Sequence, residues 1–150
     1  MYLFEYRNEA VALAYTSEFK LPSELLFIGT MNTSDRSIRS IDIALRRRFD
    51  VFECVPDEAI IGRFYSDPAN ENEIPDLIEG FLALNAALTE EIDRHHTIGH
   101  TFFMESRMTP ERLAHIWRHK IEPLIEEYFF DRPSKSAEFT LARFWPSVGA

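Results

Sequence analysis

The sequence has one cysteine, Cys54, and no long apolar run among its 150 residues. A single cysteine excludes an intramolecular disulfide, and its apolar neighbours predict a small buried side chain. A membrane-spanning helix needs roughly 20 consecutive apolar residues, and no stretch approaches that length. The first ten residues also lack the basic start and apolar stretch of a signal peptide. These absences predict a cytoplasmic protein without membrane contact.

The sequence is also poor in basic residues, with 16 Lys and Arg against 25 Asp and Glu and a formal net charge of −9. Such a balance excludes general attraction to nucleic acid or to an anionic membrane. The bases are nonetheless unevenly placed, since arginines crowd into residues 36–48. This clustering predicts a local anion site rather than a broad basic surface.

The hydrophobic content of 45% is sufficient for a core, and its pattern changes along the chain. Residues 10–22 alternate around Thr16 and Ser17, as in a β-hairpin. Two apolar runs, residues 24–30 and 49–55, are typical of buried strands in a parallel sheet, and a short helix is predicted between them.

From residue 57 onward the pattern is helical, with long segments at 75–94 and 110–130 and a last helix near 136–146. Pro123 is predicted to kink or divide the second long segment. The predicted fold is therefore α/β for residues 1–56, followed by an all-helical domain over residues 57–150.

Asn32 follows the predicted strand that ends at Thr30. Ligands of open α/β sheets bind at the carboxyl ends of strands, where an amide can donate to a phosphate oxygen and accept from a water. Asn32 is thus a candidate for orienting a nucleophile. The neighbouring Thr33, Ser34 and Asp35 also suit a turn that caps a helix, and local pattern alone favours this simpler interpretation.

Arg46, Arg47 and Arg48 end the short helix. Positive side chains complement the dipole at a helix C-terminus, and Asp42 can pair with Arg46 at i, i+4. Successive helix positions point about 100° apart, so at least one arginine is expected to face outward. An exposed guanidinium beside a sheet is the arrangement of an arginine finger, which stabilises charge on a neighbour's γ-phosphate.

Residues 28–53 read IGTMNTSDRSIRSIDIALRRRFDVFE, and residues 98–103 read IGHTFF. The first stretch resembles the second half of a AAA+ P-loop NTPase core. Within that superfamily it most resembles the McrB-like family, the GTPase subunit of modified-cytosine restriction systems. That family has G-T-M-N-T-[AS]-D-R-S, then a helix ending in A-L-R-R-R-F, and later I-G-H-S-[YF]-F.

The resemblance implies a role for each matching residue. Asn32 matches the sensor-1 asparagine, which positions the attacking water. Arg47 and Arg48 match the arginine-finger region; the sequence does not fix which is the finger, although Arg47 is favoured. The resemblance also implies residues that border the intersubunit site and residues of the lid near the nucleotide. The former are Asp35, Arg36 and Asp42, and the latter are Gly99 and His100, although His100 equally suits a partly buried lid residue.

The sequence departs from the family where the phosphates and the metal should bind. No glycine is followed by lysine, so G-x-x-x-x-G-K-[ST] is absent, and Pro56 makes Asp57 the start of a helix rather than the end of an acidic strand. The chain alone is therefore expected not to hydrolyse nucleotide. His95, His96 and His100 occur without a C-x-x-C or H-E-x-x-H pattern, and no metal site is expected.

The resemblance implies part of a AAA+ motor that forms a ring, uses GTP or ATP with Mg²⁺, and drives a McrC-like nuclease. DNA would be bound only through domains that are missing here. The expected origin is a truncated reading frame, the C-terminal part of a longer subunit, or one half of a split NTPase. The alternative function is a non-catalytic module that supplies an arginine finger in trans to a partner NTPase. A third is a small helical domain without a nucleotide role. The choice between GTP and ATP, the number of subunits and the DNA target stay open.

Overall fold

The structure, a computed structural model, describes residues 9–30 and 47–149. The chain divides into two compact units, with the boundary between Glu53 and Cys54. The first unit contains little sheet within its described residues, and the second is mainly helical.

A β-hairpin lies near the start of the first unit. Strand β1 (Val11–Leu13) pairs antiparallel with β2 (Thr16–Phe19), with Val11 opposite Phe19 and Leu13 opposite Thr16. The predicted hairpin is confirmed, but Ala14 and Tyr15 form the turn rather than Thr16 and Ser17. Thr16 is β-branched and suits a strand position, which moves the turn toward the N-terminus.

The strand predictions at residues 24–30 and 49–55 were wrong for the part of the chain that the structure describes. No strand forms at residues 24–30 or 49–55. A strand exists only through hydrogen bonds to a neighbouring strand, which an apolar run cannot provide for itself. Both runs are exposed instead, with Ile28 at 95% and Phe52 at 86%. Cys54, predicted to be buried, is exposed as well.

The second unit, called here the helical unit (residues 54–149), begins with helix α1 (Glu58–Phe64). Asp57 caps this helix, since its Oδ1 accepts the Ala59 N–H at 2.8 Å. Helix α2 (Leu77–Glu91) confirms the segment predicted at 75–94. Two short strands, β3 (Glu71–Asn72) and β4 (Arg107–Met108), form a parallel pair that the sequence did not predict.

The second predicted long helix is continuous but irregular. It comprises α3 (Pro110–Ile116), a π-helical segment (Trp117–Ile121) and α4 (Glu122–Tyr128). Pro123 lacks an N–H and crowds the carbonyl four residues earlier, so regular α-helical bonding cannot pass through it. The wider π turn lies just before Pro123, so the predicted irregularity is a change of helix type within a continuous helix rather than a division.

The C-terminal part forms two short helices, α5 (Pro133–Ser136) and α6 (Leu141–Phe144), rather than the single helix predicted at 136–146. Thr140 separates them because its side chain accepts the Arg143 N–H at 3.3 Å and starts α6 as a cap. In the described residues, no helix combines the length and the apolar character that crossing a membrane requires.

The helical unit has one hydrophobic core, which α6 and Trp145 close against α2. The indole of Trp145 is 0% exposed and donates from Nε1 to the Leu77 carbonyl at 3.1 Å. Gly80 makes this approach possible, because a Cβ there would overlap the indole and come within 2.6 Å of the Phe144 carbonyl. Absence of a side chain at Gly80 therefore sets how closely the C-terminus packs on α2. The core includes Ile61, Leu84, Phe103, Leu113, Ile125 and Phe129.

Candidate functional site

The predicted arginine site lies only partly in the described residues. Arg47 and Arg48 occupy a turn over residues 47–49, where Arg47 is exposed and Arg48 is half-buried. The remaining candidates of this unit lie outside the described residues: Asn32, Asp35, Arg36 and Asp42.

Gly99 and His100 lie at the start of a 3₁₀ helix (His100–Phe103) in the helical unit. Gly99 has φ −66° and ψ 145°, and an added Cβ would have Thr101 Oγ1 at 3.7 Å as its nearest neighbour, so the local backbone does not require glycine. His100 accepts the Asp57 backbone N–H on Nδ1 at 3.2 Å. The neutral ring therefore carries its proton on Nε2, which leaves one donor for another group.

Asn85 on α2 holds the backbone immediately before Gly99. Its Oδ1 accepts the Ile98 N–H at 2.6 Å, and its Nδ2 donates to the Ile98 carbonyl at 3.0 Å. Ile98 itself is 1% exposed and packs in the core. A side-chain amide that satisfies both groups of one residue fixes that residue as a strand partner would. Sequence analysis missed Asn85, whose only signal is a polar side chain inside an apolar helix.

Tyr65 holds the other end of this segment. Its hydroxyl lies 2.8 Å from the Phe103 carbonyl and 3.1 Å from the Glu105 carbonyl, so one proton serves two acceptors. Burial raises the pKa of Tyr65, which keeps the hydroxyl protonated. We call residues 98–105 the anchored segment, because Asn85, Asp57 and Tyr65 fix it at successive points along its length.

Asp93 organises the histidines that precede the anchored segment. Its Oδ1 accepts the His95 backbone N–H at 2.7 Å and lies 2.8 Å from His96 Nδ1. The hydrogen bond from His96 holds the pKa of Asp93 below its ordinary range. The ring of His96 meets Tyr128 edge-on at 5.0 Å. In residues 9–30 and 47–149, no three His, Cys, Asp or Glu side chains cluster as metal ligands.

The hydrogen bond between Asp93 and His96 is expected to stabilise the fold only at pH values at which the Asp93 carboxyl is ionised. A carboxyl with a lowered folded pKa stabilises the fold above its ordinary value of about 3.9 and loses that effect as pH falls through the folded value. Asp93→Asn should therefore lower the free energy of unfolding at pH 5, by less than about 1 kcal/mol since the side chain is 38% exposed. The deficit should shrink at pH 3.

Urea denaturation at both pH values measures this deficit. Asp67→Asn is the matched control, because Asp67 also accepts a backbone N–H, from Ala69 at 2.9 Å, without a histidine partner. A deficit for Asp93→Asn that is the same at pH 5 and pH 3 would show that the charge of Asp93 does not act through His96.

Comparison with known proteins matches both parts of the chain. Residues 76–137, from the residue before α2 to the residue after α5, match the family model described as "McrB, alpha-helical lid domain". The chain is 34% identical over 149 residues to the "Type IV methyl-directed restriction enzyme EcoKMcrB subunit" of Escherichia coli (strain K12), which covers 89% of this chain. The chain spans about a third of that protein, 32% of its length. The anchored segment lies inside the matched lid region.

Proposed function

Because the chain belongs to the McrB-like family, we propose that residues 1–56 are the C-terminal part of a AAA+ α/β core and residues 57–150 its helical lid. The observation that carries this proposal is the 34% identity to a restriction subunit over most of the chain, together with the lid match. The function is then to complete the nucleotide site of a AAA+ motor that hydrolyses GTP or ATP.

In this proposal Asn32 and Arg47 have separate roles in nucleotide hydrolysis. Asn32 orients the attacking water as sensor 1, since its amide can accept from water and donate to phosphate. Arg47 offsets the negative charge that develops on the transferred phosphoryl group of an adjacent subunit. Support for Arg47 over Arg48 comes from its exposure in the turn at residues 47–49.

The residues of this chain suit the terminal phosphate of a nucleotide, but they do not provide a complete phosphate-binding site. Amide and guanidinium donors suit a phosphate anion, whereas the sequence holds no G-x-x-x-x-G-K-[ST] and no acidic strand end. Mg²⁺ would neutralise charge between the phosphates when bound. We assign it no ligand in this chain, and the phosphate loop is proposed to come from residues outside this sequence.

The lid is proposed to place the anchored segment near the nucleotide. The Asp57 N–H fixes Nδ1 of His100, so Nε2–H is the donor that His100 can offer. Asn85, Asp57 and Tyr65 already fix residues 98–105, so this segment need not become ordered when a nucleotide binds. This lowers the entropic cost of binding.

The proposed partners are other subunits and a nuclease. Asp35, Arg36 and Asp42 are proposed to border the intersubunit site, where a ring of AAA+ subunits places each finger against the next nucleotide. The E. coli relative is named a restriction enzyme subunit, which supports a McrC-like nuclease partner. DNA recognition is proposed to lie outside the present sequence.

The proposal is tested by hydrolysis assays on mixtures. This chain is combined with a P-loop-containing N-terminal half from the same family, with GTP or ATP and Mg²⁺. Neither part alone should turn over nucleotide, and the mixture should. Asn32→Ala should reduce turnover roughly 10²-fold, the usual effect of removing one positioned amide.

Association of the two parts, measured by sedimentation, is the control. Association without turnover would contradict the composite site. If the chain instead accelerates an intact partner NTPase, and Asn32→Ala leaves that acceleration unchanged, the non-catalytic module that supplies a finger in trans is the better description.

A further inference from the structure

A groove of about 490 Å³ lies between α4 and α5 in the helical unit. Its floor is formed by Ile125, Phe129 and Phe139, which are 1%, 0% and 3% exposed. Phe130 also lines the groove and is 86% exposed. Because the floor side chains are almost fully covered, the apolar surface that a partner could reach comes from the exposed lining residues, of which Phe130 is the largest.

The groove is acidic at one side. Glu122 and Glu126 line it from α4, four residues apart on one helical face, and both are exposed. Among the ten described residues that line the groove there is no lysine or arginine. In the described part of the chain, neither carboxylate has an ion pair, whereas Glu91, Glu73 and Glu105 each meet a cation within 3.0 Å.

Three cations in and next to α5 and α6 are engaged elsewhere. Lys135 bonds Glu91 at 2.9 Å, and the guanidinium of Arg132 lies over the Phe129 ring at 5.2 Å and within 4.0 Å of Glu91. Arg143 lies over the rings of Phe139 and Phe144 and donates to the Glu138 carbonyl at 3.1 Å. None of these three cations forms an ion pair with Glu122 or Glu126.

We propose that this groove docks a basic amphipathic helix of another protein. Apolar side chains of the partner would pack against Phe130, and lysine or arginine side chains would face Glu122 and Glu126. The i, i+4 spacing of the two carboxylates matches the spacing of cations along a helix. A second copy of the chain is a poor occupant because its net charge of −9 repels the same surface.

The test measures fluorescence anisotropy of a labelled 15-residue Leu–Lys amphipathic peptide with the full chain. The Lys peptide should bind at least tenfold more tightly than the same peptide with glutamate in place of lysine. Glu122→Gln combined with Glu126→Gln should weaken binding about tenfold, and the effect should diminish at high salt. Phe130→Ala should also weaken binding about tenfold through the loss of apolar contact.

The matched control is Glu79→Gln combined with Glu90→Gln, which removes the same charge from exposed positions of α2 outside the groove. If both double variants weaken binding equally, or Phe130→Ala has no effect, the peptide responds only to net charge and the proposal fails. It fails too if no Lys peptide binds, or if sedimentation shows a dimer that Phe130→Ala dissociates. None of these outcomes depends on nucleotide hydrolysis, so the proposed function is tested separately.

Discussion

Replacing Arg47 by alanine is expected to lower nucleotide hydrolysis roughly 10³-fold when the chain is mixed with a P-loop-containing half. An arginine finger acts on charge that exists only in the transition state, so its loss should appear in kcat with little change in KM. Arg47 is exposed in its turn, whereas Arg48 is half-buried and is expected to matter less. Turnover under saturating GTP and ATP measures the effect.

Two further variants make the Arg47 result specific. Arg47→Lys keeps the charge but loses the planar fork of donors, so turnover should recover only in part. Arg63→Ala removes the same charge from an exposed position at the end of α1 and should leave turnover within about twofold. If Arg48→Ala abolishes turnover and Arg47→Ala does not, Arg48 is the finger. If neither variant changes turnover, the arginine run has no role in hydrolysis.

The helical unit was largely predictable because helices are local structures. Apolar residues at helical spacing predicted α1 and α2, a cap at Asp57 predicted the start of α1, and Pro123 predicted where the long segment becomes irregular. The runs at 24–30 and 49–55 were different, since a buried strand depends on strands elsewhere in a sheet. An apolar run indicates that burial of the segment is favourable, but it does not show that a neighbouring strand is available to pair with it.

The sequence singles out site candidates by side-chain chemistry and by the family resemblance. Asn32 is a candidate as an amide, Arg47 as part of an arginine run and His100 as an imidazole beside Gly99, and their roles stay predictions. The anchors do not stand out, because Asn85 and Tyr65 act on backbone groups 13 and 38 residues away. Such contacts leave no local pattern, and only the folded chain brings them together.

Trp145→Ala is expected to be the most destabilising single substitution proposed for the helical unit. The indole is 0% exposed and lies 5.5 Å from the Phe103 ring and 6.0 Å from the Trp117 ring, between centroids. Truncating a buried tryptophan leaves a cavity and typically costs about 3–5 kcal/mol. Domains of this size have about 5–15 kcal/mol of stability, so at least about a fifth of it should be lost.

The expected loss rests on close packing that the neighbours cannot restore. Gly80 offers no side chain to fill the space, and the carbonyl of Leu77 loses the indole N–H. Urea denaturation followed by circular dichroism at 222 nm measures the change, since the helices of the described residues lie in this unit. Trp145→Phe should cost less, because it keeps apolar volume and loses mainly the hydrogen bond.

Phe130→Ala, an aromatic truncation at an 86% exposed position, should change stability by less than about 0.5 kcal/mol. Equal losses for Trp145→Ala and Phe130→Ala would show that Trp145 does not hold the C-terminus against α2.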